Sequence, residues 1–383
     1  MVDNLNYFIT ITPNNNFMIK KKLWLIVSLL LANTILFAQR YNLIIGTYNS
    51  PLSNGMYLYN FDTINGNATY VAQVPCSNPS YLTISNNKQY VYAVNENTIG
   101  YLSSYAIQVD SLKHINTVPT LGLHPCHVAL SPNNKWAAVS NYSSGSCTLF
   151  AINNTGQLLP SIDTVQHTGM GVDTTRQKSP HAHSALFSAN NKMLYVADLG
   201  VDKIYRYDLT NNILIPHQYP YITLPPGSGP RHFIFSQREK CLYVLTEMSG
   251  KIILYKNKKN TTFIPIQTIS TLPLGDTTTK AGSADLHISP NGKYLYASNR
   301  GKYNNIAIFQ INKQTGRLKL IGHQSTLGIA PRNISIHPSG NFLLAANQNS
   351  NEIIIFNINK LTGLLTPNGN KISIGKPVCI AWL

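Results

Sequence analysis

Charge is scarce in this chain. Of 383 residues, 30 are Lys or Arg and 14 are Asp or Glu, so only 11% are charged, against about a quarter in ordinary globular proteins. Asn, Ser and Thr supply the polar surface instead. No heptad, linker or low-complexity tract is present, which excludes a coiled coil and a modular array. Cysteine is also sparse, at positions 76, 126, 147, 241 and 379, with no CxxC or CxxCH spacing. Local zinc sites and c-type haem attachment are therefore excluded, and an odd count leaves at least one thiol unpaired. Beyond the first 38 residues the one basic cluster, Lys256, Lys258 and Lys259, has no interleaved aromatics and reads as a solvated edge, so nucleic acid is not an expected partner.

What the sequence does contain is a repeat. A Pro-led apolar strand, an Asn/Gly-Lys turn, a second strand and a polar tip recur six times between residues 79 and 346. The turn positions Lys88, Lys135, Lys192, Lys240, Lys293 and Asn341 lie 47, 57, 48, 53 and 48 residues apart, a period suited to four-stranded propeller blades and to no helical repeat. Alternation of Val, Ile, Tyr and Phe with polar residues marks half-buried strands, and Asn-Asn, Asn-Gly and Ser-Gly pairs mark hairpin turns. Residues 41–74 carry three strand signals without a first strand, whereas 376–382 look like a first strand with nothing after it. The expected fold is all-β, a seven-bladed β-propeller of four-stranded antiparallel blades. Its ring is closed by the C-terminal strand joining the N-terminal blade, which leaves no unpaired blade edge.

The N-terminus reads as a leader. Lys20, Lys21 and Lys22 form a basic segment, Leu23 to Leu31 an apolar one, and Ala38 a cleavage point. Residues 1–38 are thus expected to be a signal peptide, with Met18 as a candidate true start, and 39–383 a single domain. The rival reading, a membrane anchor, is disfavoured because the apolar stretch is shorter than the ~20 residues that span a bilayer. Export to the periplasm or medium is the expectation, with no membrane association after cleavage. Loss of the leader removes three lysines and one aspartate and leaves 27 basic and 13 acidic residues, net +14, which favours an anionic ligand.

Blade topology locates the chemistry. Connections from the fourth strand to the next first strand open on the same face as those from the second to the third. First-strand starts place His124, His127, His181, His183, Arg231, His232, Asp285 and Arg332 there, and second-strand ends place Glu96, Tyr142, Asp198, Glu247, Arg300 and Gln348. Histidines, arginines and scarce carboxylates thus surround one mouth of the channel.

The segments RQKSPHAHS (176–184), ADLGVDKIYRY (197–207), GSGPRH (227–232), SPNGKYLYASNRG (289–301) and APRNISIHPSG (330–340) resemble the seven-bladed propeller lactonases, in order and over essentially the whole mature chain. That family includes 6-phosphogluconolactonases, and a related enzyme is the carboxy-cis,cis-muconate cyclase. The resemblance implies hydrolysis of an anionic sugar lactone and picks out His183, Arg231, Glu247 and Arg300 as catalytic candidates. His181, His232, Asp198 and Tyr142 are the accompanying substrate-binding candidates at the same mouth. Chemically, a base among His183 and Glu247 would activate water, and either arginine could hold the developing oxyanion or an anionic substituent.

Structural roles compete with these. His181 and His183 bracket one alanine, and only one of them is expected at the mouth, the other serving core hydrogen bonding. His127 and His287 sit inside first-strand patterns, Asp198 can tie down a turn, and Arg332 can serve as a blade contact. Several arginines at one mouth oppose a cation, so neither metal nor cofactor is expected. A phosphorylated lactone of central metabolism is cytosolic and conflicts with a leader. Two alternatives stay open: an exported lactonase for unphosphorylated sugar lactones, and a non-catalytic propeller that binds an anionic ligand.

Overall fold

A computed structural model describes residues 41–258, 262–276 and 281–383. The proposed leader, its cleavage point and Lys259 lie outside the described residues. Twenty-eight strands form seven antiparallel sheets of four, and the only helical pieces among the described residues are two 3-10 turns. Six sheets take their strands in chain order. The seventh is built from both ends of the domain: Pro377–Trp382 pairs antiparallel with Leu43–Thr47, from Leu43 opposite Trp382 to Thr47 opposite Pro377. This is the ring closure expected from the unmatched strand signals. We number this blade 1 and the others 2 to 7 along the chain, with innermost strands Leu82–Ile84, Pro125–Leu130, Ala182–Phe187, Pro230–Phe235, Ser283–Ile288 and Pro331–Ile336.

The apolar core is divided into seven wedges, one between each pair of neighbouring blades. Leu58 and Val91 meet between blades 1 and 2, for example, and Tyr59 and Leu344 between blades 1 and 7. A repeated hydrogen bond locks neighbours together: the Tyr92, Tyr243 and Tyr296 hydroxyls donate to the Gly156, Gly316 and Gly363 carbonyls of the following blade at 2.8–3.2 Å. Gly156 and Gly363 have φ of +77°, and a Cβ at either would sit 2.2–2.3 Å from a Tyr90 or Tyr294 ring carbon, so both backbone angle and space require glycine. The turn signature has an equally local cause. Ser85, Ser131, Ser188 and Ser289 donate to the side chain of the Asn two residues on, at 2.6–2.7 Å. Each hydroxyl also accepts the first N–H of the next strand at 2.9–3.0 Å, which fixes the hairpin.

One departure from regular pairing decides where the chemistry sits. The innermost strands of blades 3 to 7 carry a bulge at their start, spanning Pro125/His127, Ala182/Ser184, Pro230/Phe233, Ser283/Leu286 and Pro331/Asn333. The residues left unpaired are Cys126, His183, Arg231 with His232, Ala284 with Asp285, and Arg332. A bulge bends its strand and re-aims a side chain; blades 3 to 7 do so in succession, and blade 1 carries the same slip at Val378, an apolar residue that adds nothing to the site.

Closure predicts that deleting residues 376–383 exposes the edge of Leu43–Thr47 and removes the buried side chains of Val378, Cys379 and Ile380. At about 1.5–3 kcal/mol per buried side chain, the truncated protein should melt well below the full domain and associate in size-exclusion chromatography. An unchanged melting temperature would show the closing strand to be dispensable.

Candidate active site

A cavity of about 210 Å³ opens at the mouth that the topology singled out, lined by Glu96, Cys126, Tyr142, Arg176, His183, Glu247, Arg300 and Arg332. Its central feature is Glu247, at the start of the turn after the second strand of blade 5. Three guanidinium groups converge on it: Arg176 Nη2 donates to Oε1 at 2.8 Å, Arg300 Nη2 lies 2.9 Å from Oε2, and Arg231 Nε lies 3.0 Å from Oε2 with its N–H turned off the line to it. Burial alone would raise this carboxyl, but Arg300, Arg231 and Arg176 outweigh it and hold the group down at about 2.

The three arginines differ in how they are held. Arg231 is 2% exposed, does not line the cavity, and donates through Nη1 to the Ala284 carbonyl. Burial and the nearby Arg300 bring its pKa down to about 10. Arg300 is fixed by its Nε to the Gly282 carbonyl at 3.0 Å. Arg176 comes from the long connection between blades 3 and 4, is 45% exposed, and has as its other partner the Tyr142 hydroxyl, at 3.0 Å. Gln177 pins that loop from below, its amide donating to Leu199 O and Asp202 Oδ1, while Asp202 also accepts the Gly227 and Gly229 N–H groups that lead into Arg231.

Opposite this array lies a second carboxylate. Glu96 accepts from Tyr48 Oη at 2.7 Å, and Arg332 Nη2 stands 3.6 Å away with its guanidinium over the Tyr48 ring. His183 forms another part of the wall, its Nδ1 3.9 Å from Cys126 Sγ. Burial, then Arg231, His232, Arg332 and Arg300, push His183 well below the ordinary histidine value, so it is a neutral imidazole. Beneath it, His232 Nδ1 pairs with Asp285 Oδ1 at 2.7 Å, and Asp285 also holds His287 at 3.1 Å and the Leu286 and Ile334 N–H groups. Burial and Arg231 bring His232 down to about 4.

Of the eight candidates from sequence, His183, Glu247, Arg300 and Tyr142 face the cavity. Arg231 supports Glu247 from behind, and His232 underlies His183 with ring centroids 5.4 Å apart. His181 stacks on the far side of Tyr142 at 4.6 Å and gives its ring nitrogen to the Tyr142 carbonyl, so only His183 of the pair lines the wall. Asp198 is away from the cavity and wholly buried: its oxygens take His167 Nδ1 at 2.6 Å and the His181 and Gly200 N–H groups, the turn-tying role. His127 is buried and accepts the Ala185 N–H at Nδ1. Sequence reasoning gave Arg176 no role, although it opens the motif that contains His183, and left Arg332 open to a purely structural part. All five cysteines are buried free thiols, and among the described residues no three His, Cys, Asp or Glu side chains gather in a way that could hold a metal ion.

Replacing Glu247 with Gln should leave buried Arg231 without its counter-charge and cost about 3–5 kcal/mol of stability, as breaking a buried pair does. The pH sign follows. A folded pKa near 2 against an unfolded value of 4.5 stabilises the protein above pH 4.5, and that contribution is lost as pH falls toward 2. Wild-type stability in urea should therefore drop more steeply than that of Glu247→Gln between pH 5 and 3, and parallel slopes would show that Glu247 is not tied down.

Comparisons with known proteins agree with this fold. The family model described as lactonase, 7-bladed beta-propeller, matches residues 42–382. A 6-phosphogluconolactonase of Formosa agariphila is 38% identical over 311 residues, covering 78% of this chain and 87% of its own. One from Bacillus subtilis is 32% identical over 346 residues, covering 88% and 97%. Among solved structures, the periplasmic gluconolactonase of Pseudomonas aeruginosa superposes with a TM-score of 0.85 at 30% identity, covering 90% of this chain and 99% of that one.

Proposed function

The chain belongs to the seven-bladed β-propeller lactonase family, and from that premise we propose that it hydrolyses an anionic sugar lactone, foremost 6-phosphogluconolactone to 6-phosphogluconate. The observation that carries the reading is the imbalance of the cavity wall. It presents Arg176, Arg300 and Arg332 against Glu96 and Glu247, with Arg231 adding a fourth positive charge behind Glu247. Such a site repels cations and favours a substrate carrying negative charge, which guanidinium forks bind in bidentate fashion.

In this reading the wall arginines carry the electrostatic work. They hold the anionic substituent and the negative charge that develops on the carbonyl oxygen as water adds, already oriented before the substrate arrives. Glu247, held ionised near 2, is a weak proton acceptor; its part is to aim the three guanidinium groups. Tyr142, braced by His181 and hydrogen-bonded to Arg176, shapes the wall beside them.

Export remains part of the proposal, on the leader pattern of residues 1–38. Likeness to a periplasmic gluconolactonase favours a second reading, an exported enzyme for unphosphorylated sugar lactones. Freshly generated 6-phosphogluconolactone and gluconolactone, each corrected for spontaneous ring opening, should separate the two. The proposed function predicts faster turnover of the phosphorylated lactone and loss of about 10²–10³ in kcat/KM for Arg300→Ala, the scale of removing one transition-state donor. Faster turnover of gluconolactone supports the second reading, and no turnover of either supports a binding propeller.

A further inference from the structure

The chain has four glutamates, Glu96, Glu239, Glu247 and Glu352, and two of them line this one cavity. Their surroundings are opposite. Both oxygens of Glu247 are occupied by guanidinium groups. Glu96 has one oxygen engaged, Oε2, by the Tyr48 hydroxyl and more loosely by Arg332, and Oε1 has no donor among the described residues. Its backbone is anchored by the N–H bond to Asn78 O at 3.0 Å, so the carboxylate is held in place.

Hydrolysis needs a group on the wall that can take a proton from water. Arginine cannot accept one, and the Cys126 thiol is pushed far up by burial and then by Glu96. His183 keeps a lone pair, but protonating it would place an imidazolium beside Arg231, Arg300 and Arg332 in a buried setting. A carboxylate becomes neutral on accepting a proton, so Glu96 in that role buries no new charge. Tyr48 and Arg332 hold its other oxygen, an arrangement that orients a base without occupying it.

On the lactonase reading above, we propose that Glu96 is the general base of this site, with Tyr48 and Arg332 as its positioning residues. Oε1 takes a proton from water as the water oxygen bonds to the lactone carbonyl carbon, and the carbonyl electrons move to its oxygen beside the wall arginines. Collapse of that intermediate breaks the bond from the carbonyl carbon to the ring oxygen, and the ring oxygen takes the proton back from Glu96. The products are the hydroxy acid as its carboxylate and one proton released to solvent.

The test is steady-state hydrolysis of both lactones by the full chain and by Glu96→Gln, Glu96→Ala and His183→Asn, with thermal melts confirming that each variant is folded. Glu96→Gln should lose about 10²–10⁴ in kcat, the range of a general base, with KM within about threefold of wild type. Added formate should restore part of the rate to Glu96→Ala, because a small carboxylate can enter the vacated space, which a structural role would not allow. A kcat for Glu96→Gln within tenfold of wild type overturns the assignment. So does a greater loss in His183→Asn than in Glu96→Gln, or the absence of formate rescue. Wild-type inactivity on both lactones removes the lactonase reading and this assignment with it, whereas an active wild type with an active Glu96→Gln removes the assignment alone.

Discussion

A buried carboxylate shared by three arginines is the interaction on which the cavity depends. Glu247 brings together a guanidinium from the blade 3–4 loop, one from blade 5 and one from blade 6. The most buried of these charges, that of Arg231, would be expensive to hold inside the ring alone. Without Glu247, Arg231 would be a buried cation beside another cation, a strain already visible in its pKa of about 10. With it, the wall keeps a dense positive field in fixed positions. In a chain with 14 acidic residues, committing one of them to this role accounts for why the donors converge.

The fold supplies that convergence through repetition broken at one level. Seven similar blades bring seven strand starts around one channel, and the bulges in blades 3 to 7 turn the first residues of those strands into the site or its support. His183, Arg332 and Cys126 reach the cavity from bulges, and so does Arg231's hold on Glu247. The sheets keep their ladders, and the chemistry takes the residues at which the strands stop pairing regularly.

This division explains what could be read from sequence. The period of the Ser/Asn turns and the unmatched strand at Pro377 exposed the number of blades and the closure, because both arise from local hydrogen bonding and alternation. Only His183 of the His181/His183 pair lines the wall, and strand alternation does not explain it, since residues two apart share a face; His181 precedes the strand and His183 sits on its bulge. Nor could alternation tell that Arg231 would lie behind Glu247, because a bulge shifts the two-residue alternation and leaves no residue signature of its own. Arg176 was hidden for a different reason. It sits in a loop with no periodicity, and its position depends on Gln177 reaching Asp202, a contact 25 residues away in sequence.

The two cavity glutamates follow one rule with different outcomes: the carboxylate that meets three arginines becomes a fixed counter-ion, and the one with an oxygen that has no donor among the described residues faces the cavity. With four glutamates in the chain, selective carboxyl-13C labelling gives four side-chain signals, assignable with single Glu→Gln variants. The most direct measurement is their titration by NMR from pH 7 to pH 3. The account predicts that the Glu247 signal stays at its carboxylate position throughout, consistent with a pKa of about 2. A midpoint near the ordinary glutamate value of about 4.3 would contradict it, since a carboxyl that titrates there is not clamped by three arginines.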